Sequence, residues 1–187
     1  MNTPTDRTRP FLRSRILHAG VFVTAMLTIA LNSANAFAAN LHPAGYRIAA
    51  GGDKFEGTRL FAAAFKTRPP RRLRARHLEL VVGALAASAE DRAFVSFGPV
   101  WRLPIEHRSL FVELGFSPTL LAGSTLNGRD LGGNLHFTSS IAIGATFGER
   151  QTLSLSLRAQ HTSNGGLNDT NPGIDMFGIN IALNFTN

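Results

Sequence analysis

Leu153-Ser154-Leu155-Ser156-Leu157-Arg158-Ala159-Gln160 alternates apolar and polar residues at every step, the period of a β-strand with one apolar and one polar face. The closing segment repeats the pattern. Phe177, Ile179, Ile181, Leu183 and Phe185 share one face, and Gly178, Asn180, Ala182 and Asn184 share the other. Upstream, Phe137, Ser139, Ile141, Ile143, Ala145 and Phe147 alternate with His136, Thr138, Ser140, Ala142, Gly144 and Thr146. Leu110, Val112, Leu114 and Phe116 oppose Glu113, Gly115 and Ser117 in the same way. Weaker alternation predicts strands over about 92–103 (Phe94, Phe97, Trp101), 77–87 (Leu78, Leu80, Val82), 55–65 and 43–51, which makes eight.

Alternation is shared by soluble β-sandwiches and membrane barrels. Ser, Thr, Asn and Gly fill one face of four strands, which suits the inside of a narrow barrel whose apolar band meets lipid. The predicted fold is therefore all-β, an eight-stranded antiparallel transmembrane β-barrel. Its aromatic final strand resembles the last strand of bacterial outer-membrane barrels. Such barrels keep both termini and their short turns in the periplasm and their longer loops outside. The turn near Gly148-Glu149-Arg150 is then periplasmic, and segments 121–133 and 164–173 lie outside. Segment 66–76 fits poorly, being long and basic where a short periplasmic turn is expected. It implies either a miscounted strand or an unusual turn.

The N-terminus agrees with export. Arg7, Arg9, Arg13 and Arg15 precede an apolar run from Val21 to Leu31, too short to span a bilayer that needs about twenty residues. Ala34-Asn35-Ala36 or Ala36-Phe37-Ala38 then offers a small-residue cleavage site. Residues 1–38 are read as a signal peptide and 39–187 as the outer-membrane barrel. The chain has no cysteine, so sheet closure rather than disulfides must hold the fold. Its formal charge is +7. Part of that belongs to the leader, and much of the rest to Lys66, Arg68, Arg71, Arg72, Arg74 and Arg76 around Pro69-Pro70. This block reads as an exposed connection or an anion-facing patch rather than a nucleic-acid site, since an exported chain rarely meets nucleic acid.

One segment breaks the pattern. His161 and Ser163 continue the odd-numbered, lipid-side register of Leu153 to Ala159, where unpaired polar groups are costly. Asp175 precedes Phe177 on the odd-numbered face of the last strand. If 161 lies opposite 175, then 159 meets 177 and 157 meets 179, so every apolar residue pairs. His161 and Asp175 are then about 5 Å apart on adjacent strands, with Ser163 two residues along. A hydroxyl becomes a nucleophile when a base takes its proton, and a carboxylate fixes that base's tautomer. Amides of Asn164 or Asn171, and backbone N–H groups near Gly165-Gly166, are candidate oxyanion donors or substrate-positioning groups.

His161-x-Ser163-Asn164-x-Gly166-Leu167, followed by Asn171-Pro172-Gly173-Ile174 and an acid fourteen positions after the histidine, resembles the PagL family of outer-membrane lipid A 3-O-deacylases. The resemblance extends to Glu113-Leu114-Gly115 and Gly128-Arg129-Asp130-Leu131-Gly132 and covers about residues 100–187. It implies an eight-stranded barrel with an outward-facing triad that hydrolyses the ester-linked 3-hydroxyacyl chain of lipid A. Ser163 is then the nucleophile, His161 the base, Asp175 the orienting acid and Asn171 an oxyanion contributor. The family's acid is Glu, so the shorter Asp175 must come closer through the backbone, reach His161 through water, or act more weakly.

The implied partners are lipopolysaccharide as substrate and the lipids of the bacterial outer membrane, with a homodimer allowed and no nucleic acid. No cofactor or metal is expected, because His42, His77, His107 and His136 lack paired ligand spacing and there is no cysteine. Glu113 and Arg158 fall on inward faces and are expected to pair in the lumen. Trp101, Phe94 and Phe97 are expected in the aromatic girdle. Two competing readings are a non-catalytic small barrel and a phospholipase with the same triad.

Overall fold

The structure, a computed structural model, describes residues 42–53, 57–105 and 109–185. The expected leader and His107 lie outside the described residues. Eight strands close a barrel: β1 (Pro43–Gly52), β2 (Arg59–Thr67), β3 (His77–Ala86), β4 (Asp91–Ile105), β5 (Leu110–Leu121), β8 (Leu135–Phe147), β9 (Leu153–Ser163) and β10 (Ile174–Asn184). A two-residue hairpin, β6 (Thr125–Leu126) and β7 (Arg129–Asp130), sits in the loop between β5 and β8. Every neighbouring pair is antiparallel, and β1 closes on β10 from Gly45↔Asn184 to Gly52↔Phe177. Closure leaves no edge strand, the condition for a sheet to cross lipid.

The alternation sorts residues as expected. Leu157, Ile143 and Ile179 point outward and are 63%, 57% and 53% exposed, while Ser154, Ser156, Ala142 and Asn180 are buried inside. Leu157 lies opposite Ile179 near the middle of the β9–β10 ladder. Leu157→Arg should therefore destabilise the barrel by about 2–4 kcal/mol if the site is near the bilayer midplane. Ser156→Ala, which removes the acceptor of a 3.3 Å bond from Asn180 Nδ2, should cost only about 1 kcal/mol. Urea unfolding in lipid vesicles checks this, and equal costs on the two faces would overturn the assignment of faces.

The interior is layered. Toward the outer end, Leu126 and Leu131 from the β6–β7 loop insert among Leu60, Leu85, Leu121, Ile174 and Met176 as an apolar plug. Below it Thr119, Thr138 and Thr162 form a hydroxyl chain with 2.7 and 2.8 Å spacings. Further down lies an ionic layer. Arg47 donates two bonds to Glu79, at 3.1 and 2.7 Å, and one to Asn180 Oδ1 at 2.8 Å. Glu113 accepts from Arg102 at 2.7 Å and from Arg158 at 3.4 Å, as its inward position predicted. Buried charges persist in such a space when each is paired and hydrogen-bonded.

Two expectations are corrected. Phe94 is not in the girdle. Its even position turns it inward, where it packs on the apolar plug, while Val95 and Phe97 take the outer face. Lys66 is not in the exposed basic connection. It is the penultimate residue of β2, faces the lumen and is 2% exposed. The strand count stands, because the β2–β3 connection does lie at the end that carries both ends of the barrel. The turn itself is unusual: Pro69 and Pro70 lead into a 3₁₀ turn, Arg71–Leu73, whose Leu73 carbonyl accepts from Trp101 Nε1 at 3.3 Å.

Candidate active site

The register sets the site. Asp175 pairs with His161 across β9 and β10, Phe177 with Ala159 and Ile179 with Leu157. Directly opposed outward side chains meet, and His161 Nδ1 lies 2.7 Å from Asp175 Oδ1. The aspartate thus reaches the imidazole directly, because the two residues face each other across adjacent strands. With Nδ1–H donating to the carboxylate, Nε2 is left as the basic nitrogen. Both side chains are more than half exposed, 51% for His161 and 70% for Asp175, on the face that meets lipid.

Ser163 ends β9, on the same face and two residues beyond His161. That spacing separates the Cα atoms by roughly 7 Å, within reach of two side chains leaning together. Among the described residues no hydrogen bond joins Ser163 Oγ to the imidazole. Catalytic bonds are commonly long in a site without substrate and tighten when it is filled. Opposite Ser163 stands Phe137 of β8, stacked on Phe116 with ring centroids 5.9 Å apart.

The loop between β9 and β10 is organised by Asn164, which is fully buried. Its Nδ2 donates to Thr170 O at 2.7 Å and Gly132 O at 3.1 Å, and its Oδ1 accepts from Gly166 N–H at 2.9 Å. The Asn164 amide and the Gly166 N–H, read from sequence as candidate oxyanion donors, are therefore committed to holding the loop. Asn171 differs. Its Oδ1 accepts from the backbone N–H of Asn164 at 3.0 Å, which places its amide beside the peptide that follows Ser163 and leaves Nδ2 available. Asn171 Nδ2, unlike Asn164 Nδ2, makes no hydrogen bond among the described residues.

A family model described as "Lipid A 3-O-deacylase (PagL)" matches residues 61–184, a span that contains every residue of this site. The chain belongs to the PagL family. A protein of Pseudomonas aeruginosa named "Lipid A deacylase PagL" is 32% identical over 87 residues, 46% of this chain. That match spans about half of the relative, 49% of its length. The crystal structure of the outer membrane enzyme PagL matches the fold with a TM-score of 0.59 at 21% identity, covering 75% of this chain and 99% of that one. The solved structure of Neisserial surface protein A matches at a TM-score of 0.38 with 9% identity, covering 76% of this chain and 95% of that one. This PagL-family barrel is an outer-membrane protein.

Two features of this PagL-family site were not read from sequence. Gly173 takes φ +68°, and a Cβ there would sit 2.7 Å from His161 Cε1. The glycine thus lets the loop press on the imidazole at Cε1, the carbon between its two nitrogens. Its carbonyl accepts from the Arg129 guanidinium of β7, so the β6–β7 hairpin braces the backbone beside the histidine. Glycine before the acid was visible as a motif residue, but its contact with the ring depends on the loop's return path. The second feature is Gly132, at φ +75°, where a Cβ would lie 2.3 Å from Asn164 Nδ2. Its missing side chain lets the two outer loops meet.

Proposed function

We propose that this barrel is a lipid A 3-O-deacylase that hydrolyses the ester-linked 3-hydroxyacyl chain at the 3-position of lipid A in the outer leaflet. The observation that carries this reading is a His161–Asp175 pair at 2.7 Å on the lipid-side face, with Ser163 on the same face and strand. A bare structural barrel gains nothing from such a pair in its apolar band, where polar groups are expensive. The substrate arrives laterally through the membrane, and Phe137, Phe116 and the exposed Phe177 form an apolar surface for its acyl chain.

Ser163 Oγ attacks the ester carbonyl while His161 Nε2 takes its proton. The oxyanion that forms is stabilised by a donor such as Asn171 Nδ2. Collapse of the tetrahedral intermediate breaks the bond to the sugar oxygen, which takes the proton from His161 and leaves. Water, deprotonated by His161, then attacks the acyl-enzyme. A free 3-hydroxy fatty acid departs and Ser163 regains its proton. The reaction requires no cofactor.

Purified barrel in detergent, given lipopolysaccharide with a chelator present, should release one chain, seen as a single mass loss from lipid A and as free 3-hydroxy fatty acid. Intact lipid A after incubation with folded protein would overturn the assignment. Cleavage of a phospholipid instead would keep the mechanism and replace the substrate.

The acid can be tested separately. Asp175→Asn should leave the barrel folded and lower turnover by on the order of 10²- to 10⁴-fold, because the imidazole loses its tautomer control and the charge that stabilises imidazolium. Asp175→Glu keeps the carboxylate and should retain activity. Turnover indifferent to both changes would remove Asp175 from the mechanism.

A further inference from the structure

The opposite end of the barrel carries a basic cavity. This cavity, of about 530 Å³, lies at the mouth where both ends of the barrel emerge, and Lys66, Arg68, Arg76, His77, Arg102 and Arg150 line it. Among the described residues no Asp or Glu lines this cavity. Arg102 is neutralised from below by Glu113 at 2.7 Å, and His77 is held by Glu79 at 3.2 Å. Lys66, Arg68, Arg76 and Arg150 have no carboxylate within salt-bridge distance among the described residues.

Lys66 is the most telling of them. It is 2% exposed, and its cross-strand neighbour Glu79 is engaged by Arg47. Among the described residues the hydrogen bond that Lys66 Nζ makes is to the neutral Asn184 Oδ1, at 3.2 Å, a residue that also lines the cavity. An ammonium has three donors, so two remain for whatever occupies the mouth. Glu79 and Glu113 act on Lys66 only from beyond salt-bridge distance and are themselves engaged by Arg47 and Arg102, so burying this cation is costly. The arrangement makes physical sense when an anion completes it.

The connection above is shaped for the same purpose. Pro69 and Pro70 stiffen it, Arg68 N–H is tied to His42 O at 3.0 Å, and Arg76 N–H to Val100 O at 2.8 Å. These anchors hold Arg68 and Arg76 at the rim, with the exposed Arg150 contributed by the turn between β8 and β9. We propose that this mouth is a binding site for a phosphate group, held by Lys66, Arg68, Arg76 and Arg150 through charge-assisted hydrogen bonds. The cavity is many times the roughly 30 Å³ of a water molecule, so a phosphate bearing an attached group also fits. In an outer-membrane barrel this end faces the periplasm. The phosphate can come from a phospholipid headgroup of the inner leaflet or from free solution.

The protein supplies its own reporter. Trp101 is the chain's one tryptophan, and it bonds Leu73 in the basic connection. Full-length barrel in maltoside micelles at constant ionic strength is titrated in one arm with inorganic phosphate. In the other it receives phosphatidylglycerol, with diacylglycerol of the same chains as control. Binding is read by Trp101 fluorescence and by calorimetry. A saturable response to phosphate alone identifies the free anion as the source, and one to phosphatidylglycerol but not diacylglycerol identifies the headgroup.

In either case Arg68→Ala/Arg76→Ala, which alters exposed side chains only, should weaken binding by at least about tenfold through lost charge-assisted bonds. It should leave the heat-induced gel shift of the folded barrel unchanged. Ser163→Ala protein should bind as wild type does, which separates this site from the deacylase reading. Absence of saturation in both arms, or wild-type affinity in the double variant, would overturn the proposal.

Discussion

Ser163→Ala and His161→Ala should each abolish release of the acyl chain from lipopolysaccharide, with losses on the order of 10⁴-fold or more in kcat. Without Ser163 Oγ the imidazole has no nucleophile to activate. Without His161 the hydroxyl must lose its proton to water. What remains in either case is transition-state stabilisation by the surrounding donors and by binding, on the order of 10³- to 10⁴-fold over water in the serine proteases. The two variants should also be non-additive, since the residues act on one proton and the double variant has nothing further to lose. Stability should hardly change, because His161 is half exposed and Ser163 stands at the end of its strand. The measurement is mass spectrometry of lipid A after incubation with equal amounts of folded protein. Full activity in Ser163→Ala would remove the covalent mechanism.

Glu79→Ala should have the largest effect on stability, about 3–5 kcal/mol, because it leaves buried guanidinium charge without a counter-ion. Arg47 and Glu79 are 6% and 3% exposed, and Arg158 comes within 3.9 Å of the same carboxylate. After the substitution, of the hydrogen bonds described here Arg47 keeps only that to Asn180 Oδ1. The double change Arg47→Met/Glu79→Leu should cost much less than Glu79→Ala alone, since it removes both charges and fills the space with apolar atoms. Urea unfolding in vesicles, followed by the gel shift of the folded barrel, distinguishes the two. A cost below about 1 kcal/mol for Glu79→Ala would mean that water reaches the layer and screens it. Lipid A cleavage by the folded fraction should be unaffected, because this layer lies in the lumen and the candidate triad on the outer wall.

The sequence by itself determined the eight strands, the two faces of the last four and the register of the last hairpin. Period-two alternation is local, and a one-residue slip of β9 against β10 would turn Leu153 to Ala159 into the lumen. That is why His161 opposite Asp175 could be read before any coordinates. The same parity placed Glu113 and Arg158 inside. It is also why the connection between β2 and β3 belongs at the end that carries both ends of the barrel, odd though a long basic turn is there.

Tertiary structure alone decided what depends on which distant groups share a space. Lys66 looked like part of a solvated basic run, and closure of β1, β2 and β10 makes it a buried cation beside Asn184. Phe94 looked like a girdle aromatic, and a plug delivered by the β6–β7 loop, more than thirty residues away, gives it an inner partner. Asn164 and Asn171 are equivalent as amides in a motif. Only the folded loop spends the first on Gly132 and Thr170 and sets the second beside Ser163. Pairing along a strand repeats every two residues and can be counted. The meeting of loops at a barrel's rim, and of charges in its lumen, follows from closure in three dimensions and has no period to read.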